Sequence, residues 1–122
     1  MARKPIAGLP TFMKDLHDWK GTPTLYGSRA FKGNAPAKQD DVFLDLWRRG
    51  GMISLGKSTT PEYGLTSCAE PLLTGTIRNP WKLSRISGGS SGGAAYSVLS
   101  RHGARSQVQM RIYPLTLACN MR

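Results

Sequence analysis

The chain lacks any apolar run as long as a membrane helix, which needs about 20 residues. Its basic start, Met-Ala-Arg-Lys, precedes an apolar stretch that is too short for the core of a secretory signal. Its 122 residues with 39% apolar content are ordinary for one soluble domain. We therefore expect a cytoplasmic protein that has no membrane-spanning segment.

Cysteine and histidine are also scarce, with two residues of each type. Cys68 and Cys119 are far apart and lack a second pair of ligands, so neither a disulfide framework nor a metal site is indicated. His17 and His102 have no nucleophile beside them, which favours surface histidines over catalytic bases. No metal and no organic cofactor is expected.

Carboxylates are missing from the second part of the chain. All seven lie between Asp15 and Glu70, while the whole chain carries a net charge of +10. An acid-free basic segment is typical of proteins that bind nucleic acid. Here the basic residues are scattered and no stacking aromatics are interleaved among them, so nucleic-acid binding is disfavoured. A non-catalytic basic binding or interaction fragment stays the alternative, and steeply salt-dependent binding would reveal it.

The first half of the chain predicts an α/β fold. A turn at Gly8 leads into an apolar extended segment that ends at Lys14. The stretch from Asp40 to Gly51 has an acidic start, a basic last turn and a glycine stop, which predicts a helix. Residues 52–57 follow as a short buried strand.

Two side chains of this predicted helix, Phe43 and Trp47, are spaced four residues apart and are expected to face the core. The strand that follows ends in Ser54-Leu55-Gly56-Lys57, which formally fits the S-x-x-K motif of penicillin-binding proteins. Its Lys-Thr-Gly and Ser-Asp-Asn partners are missing from the sequence. We therefore interpret it as the end of a strand.

A glycine-serine segment at residues 87–95 runs into small helix-forming residues. A phosphate-binding loop would need a Gly-Lys-Ser/Thr ending, which the segment does not have. The spacing Gly88-x-Ser90-x-Gly92 also fits the nucleophile elbow of α/β-hydrolases, but that fold needs an acid and then a histidine downstream, and no acid follows. A plain flexible linker is a weaker explanation, because a tryptophan-bearing turn and a helix start flank the segment.

The remaining interpretation is a family resemblance that extends over about residues 6–95. Several short motifs resemble the amidase signature family in identity, order and spacing, and the glycine-serine block is specific when it occurs with the others. These motifs are Gly8-Leu9-Pro10 leading to Lys14-Asp15, Gly27-Ser28-Arg29, Leu55-Gly56-Lys57, Pro61-Glu62-Tyr63-Gly64, Arg78-Asn79-Pro80-Trp81 and Gly88 to Gly93.

The resemblance implies hydrolysis of a small-molecule carboxylic amide, to an acid and ammonia or an amine, on a mixed β-sheet flanked by helices. It implies a Ser-cisSer-Lys triad in which Lys14 is the catalytic base. Ser90 matches the bridging serine, which the family holds in a cis peptide. The surrounding loop positions that match the motif are Gly88, Gly89, Ser91 and Gly92.

The proposed base can work only when its amine is neutral. An ammonium has no free electron pair to accept a proton, so desolvation must keep Lys14 uncharged. Apolar neighbours in sequence, Leu9, Phe12 and Met13, are candidates for the walls of such a site. The amine would then take a proton from Ser90, which relays it from the attacking serine.

The resemblance ends near Ala95, which divides the chain into a partial amidase-signature domain at 1–95 and a divergent tail at 96–122. The family's nucleophile lies in a Gly-Gly-Ser-Ile-Arg stretch, and no such stretch follows in this frame. Read one base later, codons for His102-Gly103-Ala104 can give Met-Val-Pro, and codons for residues 111–115 can give Gly-Ser-Ile-Arg. We hypothesise a reading-frame change. A gene sequence without these two motifs in the shifted frame would refute it.

Without a nucleophile, we expect this chain to be inactive as an amidase. The family domain also starts earlier and continues for much longer than this chain. Missing strands would leave a sheet edge unpaired and apolar helix faces uncovered. We therefore expect the isolated chain to be poorly stable and prone to aggregate, and a sharp cooperative melt from a monomer would contradict this.

Overall fold

A computed structural model describes residue 4 and residues 6–99 of the chain. The described part contains four strands and two helices, with short 3₁₀ turns at Arg29–Phe31 and Glu62–Gly64. In chain order the elements are β1 (Pro10–Lys14), α1 (Val42–Arg49), β2 (Ile53–Ser58), β3 (Arg78–Asn79), β4 (Lys82–Ile86) and α2 (Gly92–Leu99).

The first three elements form a β-α-β unit. Strands β1 and β2 pair in parallel, with Pro10 opposite Ile53 and Lys14 opposite Ser58, and the register shifts between Thr11 and Met13. Parallel neighbours cannot be joined by a tight turn, and here the connection carries α1. The predicted order of strand, helix and strand, and the α/β class, are confirmed.

Helix α1 begins and ends where the sequence predicts. Asp41 caps its start, because its side chain accepts a hydrogen bond from the backbone N–H of Leu44 at 2.8 Å. Arg48 and Arg49 lie in the last turn, where the helix dipole favours positive charge, and Gly50 follows as the C-cap. The second of these arginines also pairs with Asp45 one turn earlier, at 2.6 Å.

Strands β3 and β4 form an antiparallel hairpin around the Asn79-Pro80-Trp81 turn, with Arg78 opposite Ile86. The turn agrees with the sequence interpretation, whereas β4 had no periodic signal. Its side chains at Lys82, Leu83 and Ser84 are all exposed. A strand without a buried face does not alternate between polar and apolar residues, so pattern alone could not detect it.

The buried core is small, and β1 and α1 each contribute one buried apolar side chain to it. Met13 and Leu44 are buried there, while Ala69 and Ala94 are buried near the glycine-serine segment. Thr60 is completely buried as well, and its hydroxyl donates to the Ser90 carbonyl at 3.5 Å. Buried residues therefore lie both in β1 and at the start of α2, which are the two places that carry the candidate site.

Two sequence expectations about burial are wrong. Strand β2 is not buried, since Ile53 and Leu55 are 51% and 49% exposed. Because side chains alternate along a strand, these two residues project from the same face of β2. No described residue covers that face fully. Phe43 is also exposed, although its ring stacks beside His17 at 4.7 Å, and Leu44 takes the core position on α1 instead.

The divergent tail lies outside the described residues from position 100 onward, as does His102. The boundary predicted at residue 95 falls within α2, which continues to Leu99. In the described part of the chain, no helix has the length and apolar character that a membrane crossing requires.

Candidate active site

Lys14 is the last residue of β1, and backbone contacts hold it on both sides. It pairs with Ser58 in the parallel register, and the Ser58 hydroxyl donates to the carbonyl of Met13 at 3.2 Å. The next residue, Asp15, donates its backbone N–H to the Ser58 carbonyl at 3.1 Å. The strand end is therefore fixed to β2, and the side chain of Lys14 leaves the sheet from a defined point.

Ser90 lies in the glycine-serine segment just before α2, and its peptide bond with Gly89 is cis. The preceding loop is tied to residues 66–68: Gly89 donates its N–H to the Ser67 carbonyl at 2.6 Å, and Gly88 forms an antiparallel bridge with Cys68. On the other side, Ala95 donates to the carbonyl of Ser91 as α2 begins. The turn around Ser90 is thus anchored at both ends.

The structure brings these two residues together across 76 positions of sequence. The Nζ of Lys14 donates a hydrogen bond to the Oγ of Ser90, and both side chains are partly buried. Desolvation by burial lowers the pKa of Lys14 from its usual value. Within the described part of the chain, Lys14 forms no ion pair that would oppose this shift. The arrangement therefore favours an amine that can lose its proton.

Close backbone packing explains the glycines of this segment. A Cβ on Gly93 would lie 2.7 Å from the backbone nitrogen of Thr59 and would also meet the Thr59 carbonyl oxygen. A Cβ on Gly92 would meet Ala69 and come within 2.6 Å of the Ser87 hydroxyl oxygen. The start of α2 therefore approaches its neighbours at a distance that only glycine permits.

Sequence reasoning missed a second lysine beside the site. The sequence places Lys57 at the end of a strand and in a family motif, and neither observation predicts its partners. Its Nζ donates to Asp15 Oδ1 at 3.2 Å, to the Pro23 carbonyl at 2.9 Å and to Thr24 Oγ1 at 2.8 Å. One feature of the sequence could have indicated this role. Lys57 is a charged residue at the end of an apolar strand, and it belongs to the family motif Leu55-Gly56-Lys57.

His17 is a further correction, because it is not a plain surface histidine. Its Nδ1 lies 2.7 Å from Asp41 Oδ2, and its ring stacks on Phe43. Burial opposes ionisation of Asp41, but hydrogen bonds from the Leu44 N–H and from His17 outweigh it and lower the pKa of this carboxyl. His17 therefore connects the segment after β1 with the start of α1.

No group of three or more potential metal ligands occurs among the residues that the structure describes. Two open clefts of about 410 and 500 Å³ lie along β2, and Lys57 and Ser58 line both. Neither cleft has Lys14 or Ser90 in its lining. These clefts are therefore separate from the Lys14–Ser90 contact.

The family is established by comparison with known proteins. The model of the amidase family matches residues 1–105, which is most of the chain. The chain belongs to this family, the amidase-signature enzymes, and the resemblance found in its motifs is confirmed. At the level of the family, the chemistry is that of amide C–N bonds.

Relatives and solved structures agree with this assignment. The chain is 42% identical over 94 residues to a glutamyl-tRNA(Gln) amidotransferase subunit of Acidothermus cellulolyticus, a match that covers 77% of this chain and 18% of that protein. It superposes on 6-aminohexanoate cyclic dimer hydrolase with a TM-score of 0.71 at 37% identity, covering 80% of this chain and 20% of the other. For the corresponding amidotransferase subunit of Thermotoga maritima the TM-score is 0.68 at 33% identity, covering 75% and 20%.

The chain thus spans about a fifth of the length of the relatives that it matches. The fold of an amidase-signature fragment is confirmed at this extent. The activity, the substrate and the partners of a whole protein of this kind are matters for proposal.

Proposed function

We propose that the chain carries the base and the proton relay of an amide-hydrolysing site. In this proposal neutral Lys14 accepts a proton from Ser90, Ser90 accepts one from an attacking hydroxyl, and the same path returns a proton to the leaving amine. The observation that carries the proposal is the hydrogen bond between Lys14 Nζ and Ser90 Oγ. Family membership supports it, because amide C–N chemistry needs such a proton path.

The reaction also needs a nucleophile and donors for the developing oxyanion. The sequence contains no Gly-Gly-Ser-Ile-Arg stretch in this frame, so we propose that the chain itself does not hydrolyse amides. Gly88, Gly89, Ser91 and Gly92 would shape the loop around the relay. A cytoplasmic location and a requirement for no cofactor stay predictions from the sequence.

The protonation of Lys14 tests the proposal. Acetic anhydride acylates only neutral amines, so the acylation rate of each lysine against pH reports where that amine loses its proton. Because desolvation lowers the pKa of Lys14, we expect its acylation to reach a plateau at lower pH than that of an exposed lysine. Proteolysis and mass spectrometry of the full chain, labelled at a series of pH values, measure the rate at each site.

The control is internal, since exposed Lys38 is labelled in the same sample. Circular dichroism at each pH tests whether the chain keeps its fold over the range. If Lys14 and Lys38 give the same pH profile, the proposed base is wrong.

A second candidate is that the intact protein is one component of an amidotransferase. The observation in its favour is the 37–42% identity to curated proteins that are named as subunits of glutamyl-tRNA(Gln) amidotransferase. A free-standing amidase would hydrolyse a simple amide such as benzamide alone. An amidotransferase component would require its partner proteins for amide transfer, and assays of the full-length gene product with and without them distinguish the two.

A further inference from the structure

The two lysines at the ends of β1 and β2 have opposite surroundings. Met13, and not Lys14, lies opposite Lys57 in the parallel register. Side chains alternate along a strand, so Lys14 and Lys57 project from opposite faces of the β1–β2 sheet. Lys14 meets a hydroxyl on its face, whereas Lys57 meets a carboxylate on the other.

Lys57 is nearly buried, with its side chain 13% exposed, and so is its partner Asp15 at 14%. The three acceptors around Lys57 match the three N–H donors of an ammonium. A buried charge with a full set of partners holds those partners in place, because separating them would leave a charge without compensation. The ion pair between Lys57 and Asp15 therefore fixes the segment that follows β1 to β2.

Asp15 follows Lys14 directly in sequence, and several further hydrogen bonds meet at it. Its Oδ1 also accepts from the Leu25 N–H at 3.3 Å, and its carbonyl accepts from the Tyr26 N–H at 3.1 Å. Its own N–H is bonded to Ser58 on β2. These bonds join Asp15 to two segments, β2 and residues 25–26, so the direction in which the preceding residue projects depends on them.

We propose that Lys57 is a positioning residue that, through Asp15, holds the amine of Lys14 against Ser90. Lys57 does not touch the reacting atoms. Its hydrogen bonds attach the segment 15–26 to the sheet and fix the end of β1. The inference rests on the proposed function, because it concerns how the same base is placed.

The test is to replace Lys57 by methionine, which keeps the length of the side chain and removes its charge and its donors. In the full-length chain, Lys57→Met is expected to release Asp15, so that Lys14 becomes hydrated. The acylation profile of Lys14 then moves to higher pH, and its separation from the profile of Lys38 is lost. Lys38→Met, at an exposed position, is the matched control and is expected to leave the Lys14 profile unchanged.

A folded Lys57→Met chain with the wild-type Lys14 profile would overturn the inference. Asp15→Asn is the second variant, because it keeps an oxygen acceptor for the Leu25 N–H while removing the charge, and it is expected to shift the Lys14 profile in the same direction. If both variants lose the circular dichroism signal of the fold, the pair is a determinant of folding and the positioning role is also refuted.

These outcomes are distinct from a failure of the proposed function. A wild-type Lys14 that labels with the profile of Lys38 refutes the proposed base itself. A wild-type Lys14 that labels at lower pH, combined with an unchanged profile in folded Lys57→Met, refutes only the positioning role.

Discussion

Gly93→Ala is expected to separate the start of α2 from Thr59, the residue after β2, and to break the Lys14–Ser90 hydrogen bond. The new methyl group would lie 2.7 Å from the backbone nitrogen of Thr59 and against its carbonyl oxygen, and these backbone atoms have little freedom to move. Overpacking of this kind costs about 1 to 3 kcal/mol, and rigid backbone neighbours place the cost at the upper end. The start of α2 and Ser90 are expected to move away from Lys14 together. Lys14 then becomes hydrated, so its acylation profile moves to higher pH.

Gly33→Ala is the matched control, since nothing lies within 4 Å of a Cβ at that position. It is expected to keep the wild-type profile of Lys14 and the wild-type circular dichroism spectrum. A Gly93→Ala chain with both of these properties unchanged would show that the start of α2 does not pack against Thr59 as described.

Met13→Ala has the largest expected effect on the fold. Met13 is 1% exposed and belongs to the small core. It lies in β1, directly before Lys14. Removing a buried methionine side chain costs about 2 to 5 kcal/mol through lost burial and the cavity left behind. The isolated chain is expected to have little stability to spare, so this loss should abolish the folded baseline in urea titrations followed by circular dichroism at 25 °C.

Leu65→Ala provides the comparison, because Leu65 is 82% exposed and its truncation removes little buried surface. It is expected to unfold at the same urea concentration as the wild type. Equal midpoints for Met13→Ala and Leu65→Ala would contradict the burial of Met13.

The sequence predicted best where a local signal and the tertiary structure agree. Helix α1 has its cap, its charged ends and its glycine stop within a few residues, so its bounds could be predicted from local chemistry. The strand that ends at Lys14 was also predicted, because an apolar run between a turn and a polar pair is a short-range pattern. For both elements the information lies within the segment itself.

The wrong predictions concern the burial of side chains, which contacts between distant segments determine. Leu55 is apolar and lies in a strand, but whether it is covered depends on segments far away in sequence. Phe43 lies on the predicted core face, yet its ring packs on His17, which comes from a different part of the chain. No local pattern could have predicted either result.

The candidate site was predicted from motifs, and the part that was missed is equally informative. Lys14 and Ser90 were selected by resemblance, and the structure places them in contact. The three hydrogen bonds of Lys57 join β2 to a segment more than 30 residues earlier. Such a network leaves no periodic trace in sequence, because its members are single polar residues in loops and at strand ends.

The long separation between Lys14 and Ser90 has a consequence for biosynthesis. Contacts between distant residues form late, because a large loop must close before any interaction compensates for its entropy. In a nascent chain that has emerged from the ribosome only as far as β1, the amine of Lys14 has no Ser90 to contact. The proposed base therefore meets its partner only after the segment around Ser90 has left the ribosome and packed beside Lys14.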